Sequence, residues 1–256
     1  MPAVDLPGVV ARLRAAGCVF AEDEARLLLD AADGGADLAD LVERRVAGLP
    51  LEQVLGWAEF AGLRIAVAPG VFVPRRRTEF LAERAVAAAA PGALVVDLCC
   101  GTGAVGAVLA ARVPGARVHA ADVDPAAVAC ARRNLPGGRV HEGDLYAALP
   151  AGLRGRLDVL AVNAPYVPTA AIATMPPEAR DHEPAVALDG GADGVDVQRR
   201  VAAGAAEWLA PAGAVLIETG RSQVPLTVAA LEAGGLAARV LVSDEVDGTV
   251  VLARRR

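Results

Sequence analysis

The 256-residue chain contains no lysine: all 25 of its Lys+Arg positions are arginine. Schiff-base chemistry, a lysine general base and the lysine of a phosphate-binding loop are thereby excluded. Aromatic residues are scarce as well, at 3%, so the 54% hydrophobic content and the mean hydropathy of +0.40 come mostly from alanine and valine. Long apolar runs are missing too. The longest stretch without a charge, 159–177, holds Asn163, Pro165, Pro168, Pro176 and Pro177, and no membrane helix of about 20 apolar residues runs through such a segment. Cysteine is limited to Cys18, Cys99, Cys100 and Cys130, without C-x-x-C spacing and with too few clustered thiols for zinc. They read as reduced cysteines of a cytoplasmic protein. The Met1-Pro2-Ala3-Val4 start has no basic segment ahead of an apolar run, so no secretion signal is expected. A net charge of −6 gives no overall field toward nucleic acid or an anionic membrane.

What is present is enough for one catalytic domain with a small accessory lobe. Residues 5–49 carry helical stripes (Val9, Val10, Leu13; Ala25, Leu28, Leu29, Ala32; Leu38, Leu41, Val42, Val46), broken at Gly34-Gly35 and stopped at Gly48 and Pro50. They predict three short helices. Residues 59–73 alternate through Leu63, Ile65 and Val67 and continue past Pro69-Gly70 to Val71-Phe72-Val73, which predicts a β-hairpin. From residue 78 strands and helices alternate: helices over 78–90, 104–112, 125–134, 195–209 and 223–233, strands at 94–98, 118–121, near 140, 157–162 and 214–218, and a terminal strand pair near 238–243 and 248–253. The pattern predicts an α/β protein with a doubly wound parallel sheet. The divisions drawn are a helical lobe 1–56, a hairpin linker 57–76 and a catalytic domain 77–256. Ligands of such sheets bind at the carboxyl ends of the strands.

The informative residues lie at those ends. Asp97-Leu98-Cys99-Cys100-Gly101-Thr102-Gly103 leaves a strand and opens a helix. Its glycines let backbone approach a ligand, and they equally suit the geometry of the turn itself. Val105 precedes Gly106, so the third dinucleotide glycine is out of place, and the missing Gly-Lys pair argues against ATP held by a phosphate loop. Asp122 ends the next strand, where a carboxylate accepts both hydroxyls of a ribose. Asp124 before Pro125 reads as a helix N-cap. Asp144 follows the third strand as an acceptor for an adenine amino group, with Tyr146 beside it either as an aromatic face or as ordinary core. Asn163-Ala164-Pro165-Tyr166 ends the fourth. Asn in that place is ordinarily a turn residue, but the Ala164-Pro165 bond stiffens the turn. A rigid turn displaying a carboxamide, a carbonyl and a ring suits a planar NH₂ group, with the Asn163 oxygen and the Ala164 carbonyl each accepting one N–H and Tyr166 packing on the plane.

Taken with Phe72-Val73-Pro74-Arg75, Thr78-Glu79 and Glu183-Pro184-Ala185-Val186-Ala187-Leu188-Asp189-Gly190-Gly191 followed by Asp193-Gly194, the chain resembles the HemK/PrmC family from its first helices to its last strand pair. The resemblance implies a class I S-adenosylmethionine-dependent methyltransferase fold, Rossmann-like, with a seven-stranded sheet ending in an antiparallel pair, behind a small all-α lobe and a linking hairpin. It implies methylation of a glutamine side-chain amide in the GGQ loop of a peptide-chain release factor or in another translation-related protein, with no metal. Asp97 and the loop of Cys99, Cys100, Gly101, Thr102 and Gly103 would face the methionine part of the cofactor, Asp122 the ribose, and Asp144 and Tyr146 the adenine. Asn163 would stand between cofactor and acceptor, in a catalytic turn with Ala164, Pro165 and Tyr166. Phe72, Arg75, Thr78, Glu79 and Glu183 would join Asn163 and Tyr166 in binding substrate.

Departures accompany the resemblance. Ala164 stands where the family has the first proline of N-P-P-Y. Cys99-Cys100 replaces a Gly-Thr pair, and the lobe is shorter by about a helix. Arg75-Arg76-Arg77 is either a solvated patch or a contact for an acidic or phosphate-bearing partner. The chemistry needs alignment, which supplies up to roughly 7–11 kcal/mol in well-oriented systems, and acceptors on both N–H groups as positive charge develops on a poorly nucleophilic amide nitrogen. No general base is evident: His119 and His141 lie in strand-like segments and His182 precedes the Glu183-Pro184 loop. Other readings are an exocyclic-amine methyltransferase of a nucleic-acid base, against which the acidic charge counts, a small-molecule acceptor, and a non-catalytic S-adenosylmethionine-binding partner module.

Overall fold

The structure, a computed structural model, describes residues 6–256. The Met1-Pro2-Ala3-Val4 start, and the helix onset read at residue 5, lie outside the described residues. Four helices open the chain, one more than the apolar pattern predicts: α1 (Leu6–Ala15), α2 (Ala21–Asp33), α3 (Leu38–Val46) and α4 (Leu51–Leu55). Pro50 ends one helical stretch and caps the start of the next, so a stop signal hides a new start. Val9, Leu13, Leu28, Val42 and Val54 are buried together in a core belonging to the lobe itself. Arg45 is buried within that lobe. Its guanidinium pairs with Glu24 at 2.6 Å and reaches out to Glu178.

The hairpin is β1 (Trp57–Phe60) and β2 (Leu63–Ala66), and its turn is Ala61-Gly62 rather than Pro69-Gly70. Both turn residues have positive φ, 50° and 76°, the twist that matches a two-residue connection. Val71-Phe72-Val73, expected to be a strand, pairs with none. The Val73 N–H is taken by the Glu183 carboxylate instead, at 3.0 Å, and a side-chain partner 110 positions away leaves no local periodicity to read.

The remainder alternates as α5 (Thr78–Ala88), β3 (Leu94–Leu98), α6 (Ala104–Arg112), β4 (Arg117–Asp122), α7 (Pro125–Asn134), β5 (Arg139–Glu142), β6 (Leu157–Val162), α8 (Pro177–His182), α9 (Ala185–Leu188), α10 (Asp196–Trp208), β7 (Leu209–Glu218), α11 (Val224–Ala233), β8 (Leu236–Ser243) and β9 (Gly248–Arg255). The seven strands order as β5-β4-β3-β6-β7-β9-β8, parallel as far as β7 and antiparallel at β9 and β8. Every residue of β3 is buried, and its side chains divide by alternation: Val95 joins the core on one face, Leu94, Val96 and Leu98 that on the other. The chain moves outward from β3 to β5 and returns to β6 on the opposite side of β3. That reversal opens a crevice at the carboxyl ends of β3, β4 and β6.

Candidate active site

The crevice is a cleft of about 770 Å³. One end is built on the loop after β3. Gly103 N–H donates to the Cys100 carbonyl at 2.7 Å and Cys100 N–H to the Ala121 carbonyl at 3.1 Å, which folds the loop back against β4. Cys99, Gly101 and Gly103 all have left-handed backbone, with φ of 58°, 51° and 75°. At Gly103 a Cβ would come within 3.0 Å of the Ala131 side chain, so this glycine serves the packing of α6 on α7. Cys99 adopts the same region with a side chain, a strain concentrated where a loop must present its backbone to a ligand. Burial pushes the Cys99 and Cys100 thiols well up, and the nearby carboxylates add to it, so both are neutral thiols.

Three carboxyl groups border this loop. Asp122 accepts from Gly101 N–H at 2.8 Å and from Asp124 N–H at 3.0 Å, and burial pushes its pKa upward against those bonds. A carboxylate oxygen accepts more than one bond, so capacity remains for a diol. Asp97 is 1% exposed and accepts from Gly106 N–H at 2.8 Å. Burial pushes its pKa up to about 8; the Gly106 bond lowers it and the Asp122 charge raises it further. Asp144 lies at the rim, paired with Arg200 at 2.5 Å. Carboxyl groups placed this way suit a ligand that carries positive charge together with vicinal hydroxyls. S-adenosylmethionine, with its sulfonium, ammonium and ribose, fits that donor set.

Tyr146, expected at an adenine, faces elsewhere. Its hydroxyl donates to the Val201 carbonyl at 2.7 Å and its ring stacks on Trp208 at 5.4 Å between centroids. Gly204, which has no side chain, leaves room for that ring under α10, where a Cβ would come within 2.6 Å of it. Val123 and Leu145 supply the apolar lining of the cleft in its place. Asp124 is the N-cap of α7, accepting from Ala126 N–H at 2.9 Å. His119 and His141 stack on one another across β4 and β5, with ring nitrogens 2.9 Å apart, outside the cleft lining.

The other end of the cleft is the turn after β6. Asn163 donates from Nδ2 to the Thr78 hydroxyl at 3.4 Å. Among the described residues no donor reaches its Oδ1, and none reaches the Ala164 carbonyl; both residues line the cleft. Pro165 and Tyr166 line it too. Gln223, which sequence reasoning missed, braces the turn by donating to the Tyr166 carbonyl at 2.8 Å and to that of Asp193 at 3.1 Å. Glu218, also missed, ends β7 beside Asn163 and receives the Tyr166 hydroxyl at 3.3 Å. Its one sequence signal is the one used for Asp122, an acidic residue at the carboxyl end of a strand.

Phe72, Arg75 and Thr78 line the same end, joined by Arg77. The Arg75 guanidinium lies 5.0 Å from the Phe72 ring centre. Glu183 does not line the cleft. It stands behind it, fully buried, holding Arg75 and Val73. Glu79 also faces away, accepting from Ala61 N–H at 3.1 Å at the hairpin turn. Each carboxylate is consumed by the scaffold, accepting from a backbone N–H of another segment, and at Glu183 that N–H would otherwise be buried without a partner. Among the described residues no three His, Cys, Asp or Glu side chains group to hold a metal ion, and no helix is long and apolar enough to cross a membrane.

The strand order and the cleft at its switch point define a class I S-adenosylmethionine-dependent methyltransferase. The family model "Methyltransferase small domain" matches residues 62–176. The 16S rRNA N2 G1207 methyltransferase RsmC of T. thermophilus, solved with AdoMet and guanosine, shares the fold at a TM-score of 0.56 and 22% identity, over 78% of this chain and 50% of that one. The release factor glutamine methyltransferase of Deinococcus radiodurans is 36% identical over 92% of this chain and 91% of its own length. That of Geobacter sulfurreducens is 39% identical over 72% of this chain and 65% of its own length, just under two thirds. The chain belongs to the release factor glutamine methyltransferase family and is an enzyme, an N-methyltransferase.

Proposed function

We propose that this enzyme methylates the side-chain amide nitrogen of a glutamine in a peptide-chain release factor, within the Gly-Gly-Gln loop. The observation that carries the reading is the pair of unengaged acceptors, Asn163 Oδ1 and the Ala164 carbonyl, on adjacent residues of one stiff turn facing the cleft. A primary amide has two N–H donors on one nitrogen, and two acceptors side by side match it.

When bound, S-adenosylmethionine supplies a methyl group activated by its sulfonium sulfur. Asp97 and the 99–103 loop hold its cationic end, Asp122 its ribose, and Asp144, Val123 and Leu145 border the base. Asn163 and Ala164 then fix the acceptor nitrogen and strengthen their bonds to it as it becomes positive, which is stabilisation specific to the transition state. Tyr166 and Phe72 shield the amide plane. Water receives the departing proton, since the turn offers no strong base. The lobe 1–56 serves as the partner-recognition domain, 57–76 as its linker and 77–256 as the catalytic domain, in a cytoplasmic enzyme.

The test is mass spectrometry of the host's purified release factors after incubation with the enzyme and isotope-labelled S-adenosylmethionine. A labelled methyl on the glutamine of the Gly-Gly-Gln loop is the expected result. Intact cofactor binding with no label on that residue overturns the acceptor assignment and redirects the search to other host proteins, nucleic acids or small amides.

A further inference from the structure

Buried at the end of β7 is a carboxyl group that the chemistry described so far does not use. Glu218 is 2% exposed and does not line the cleft. Pairing of Val162 with Ile217 places it, the last residue of β7, next to Asn163, the first residue beyond β6. One of its oxygens receives the Tyr166 hydroxyl; the other, Oε2, has no partner at hydrogen-bond length. An ionisable oxygen buried without a partner is costly unless a neighbour turns a donor toward it. Thr78 is placed to be that neighbour: its hydroxyl meets Asn163 Nδ2, beside Glu218 at the end of the sheet, although it makes no bond to Glu218 at hydrogen-bond length in this structure. Burial pushes Glu218 up to about 7, and the Thr78 hydroxyl is the foremost of the groups that draw it back, ahead of Arg77 and Tyr166.

The position of Thr78 matters because the two ends of a carboxamide are the same size, and only its hydrogen bonds decide which end faces where. A free Thr78 hydroxyl could accept from Asn163 Nδ2 or donate to Asn163 Oδ1. The two choices present opposite faces to the cleft: the first leaves an acceptor there, the second a donor that would confront the N–H groups of the substrate amide. A hydroxyl that gives its proton to a carboxylate is left with lone pairs toward Asn163. The observed contact is Nδ2 to Oγ1, the orientation that a Thr78 proton turned toward Glu218 would select.

We propose that Glu218 is a positioning residue: acting through the Thr78 hydroxyl it fixes the Asn163 carboxamide with its oxygen toward the acceptor nitrogen, and through Tyr166 it sets the ring beside it. The inference rests on the reading of Asn163 as an acceptor-binding residue. It explains why an acidic side chain is kept in a buried place where a neutral one would avoid the desolvation cost.

Four variants of the full chain test it: Glu218→Gln, Thr78→Val, Thr78→Ser and Asn163→Ala. Glutamine keeps the shape of Glu218 but cannot accept from Thr78 and Tyr166 at once without placing an N–H against one of them. With a release factor as substrate, Glu218→Gln and Thr78→Val are expected to lower kcat at least about tenfold, the worth of roughly one hydrogen bond at the reacting atom. KM for the release factor and Kd for S-adenosylmethionine should stay within about twofold, and Thr78→Ser should recover most of the loss seen in Thr78→Val. A readout free of substrate is the solvent exchange of the Asn163 side-chain NH₂, observed by ¹⁵N NMR and assigned by its disappearance in Asn163→Ala. Exchange should accelerate about tenfold or more in Glu218→Gln and Thr78→Val. Unchanged kcat and exchange in Glu218→Gln overturn the proposal, and so does a loss of cofactor affinity and melting temperature in step with kcat, which marks a scaffold role. If the wild-type enzyme leaves the release factor unmodified, the acceptor assignment fails, and the NH₂ exchange alone decides between a relay and no relay.

Discussion

Arg75 donates to Glu183 Oε2 at 2.7 Å across 108 positions of sequence, and Glu183, with a side chain of zero exposure, spends its other oxygen on the Val73 amide. One buried carboxylate therefore fastens the segment that carries Phe72 and Arg75 to the segment between α8 and α9, closing the acceptor end of the cleft from behind. Burial pushes the Glu183 pKa up and Arg75 draws it back down. Glu183→Ala leaves a buried backbone N–H and a half-buried guanidinium without their partner, and is expected to cost about 2–4 kcal/mol of stability, read as a lower urea midpoint. Methylation should fall with it, mainly through KM for the protein substrate. Full stability with lost activity would instead place Glu183 in contact with substrate.

The parallel sheet was readable because its central strands are short, mostly apolar runs flanked by turn residues, and because Asp124-Pro125 marks the start of α7 within one residue. What escaped reading depends on partners far away in sequence. The true hairpin turn, Ala61-Gly62, lost to the stronger Pro69-Gly70 signal, since an alanine gives no hint that it will adopt positive φ. Tyr146 follows its strand closely enough to face either the cleft or α10, and Gly204, which makes room for it, is 58 residues on by the numbering of the chain. Asn163 and Asp122 were legible as polar groups at strand ends. Glu218 stands in the same kind of place, but its meaning comes from Thr78 and Tyr166, which only the fold brings to it.

Removing the Asn163 carboxamide takes away one of two acceptors for the substrate amide while leaving Asp97, Asp122 and the 99–103 loop in place. Loss of a single preorganised group of this kind costs about 100–1000-fold in kcat at other enzyme sites. Asn163→Ala is accordingly expected to reduce transfer to near background, with the calorimetric Kd for S-adenosylmethionine changed by less than about threefold. Joint loss of transfer and cofactor binding would show that the carboxamide supports the cofactor end or the fold of the turn.

Asp97 connects cofactor affinity to pH, and the sign can be worked out. Its pKa is 3.8 in an unperturbed chain and about 8 in the folded protein, where burial outweighs the Gly106 hydrogen bond and the Asp122 charge adds to the rise. Between those values the folded protein holds a proton that the unfolded chain has released, so this residue contributes stability at low pH that is lost as pH rises toward 8. A ligand with sulfonium and ammonium charges favours the ionised carboxylate, and binding below pH 8 must expel the proton. Affinity for S-adenosylmethionine should therefore climb from pH 6 to 8, by up to about tenfold per unit, and level off above. Asp122, also raised by burial and close enough to interact, titrates together with it and broadens the rise. Calorimetry in two buffers of different ionisation enthalpy should show proton release at pH 7 that vanishes at pH 9 and in Asp97→Asn. An affinity that stays flat across this range, with no buffer dependence, would mean that Asp97 is already ionised before the ligand arrives and that its charge is balanced by the loop alone.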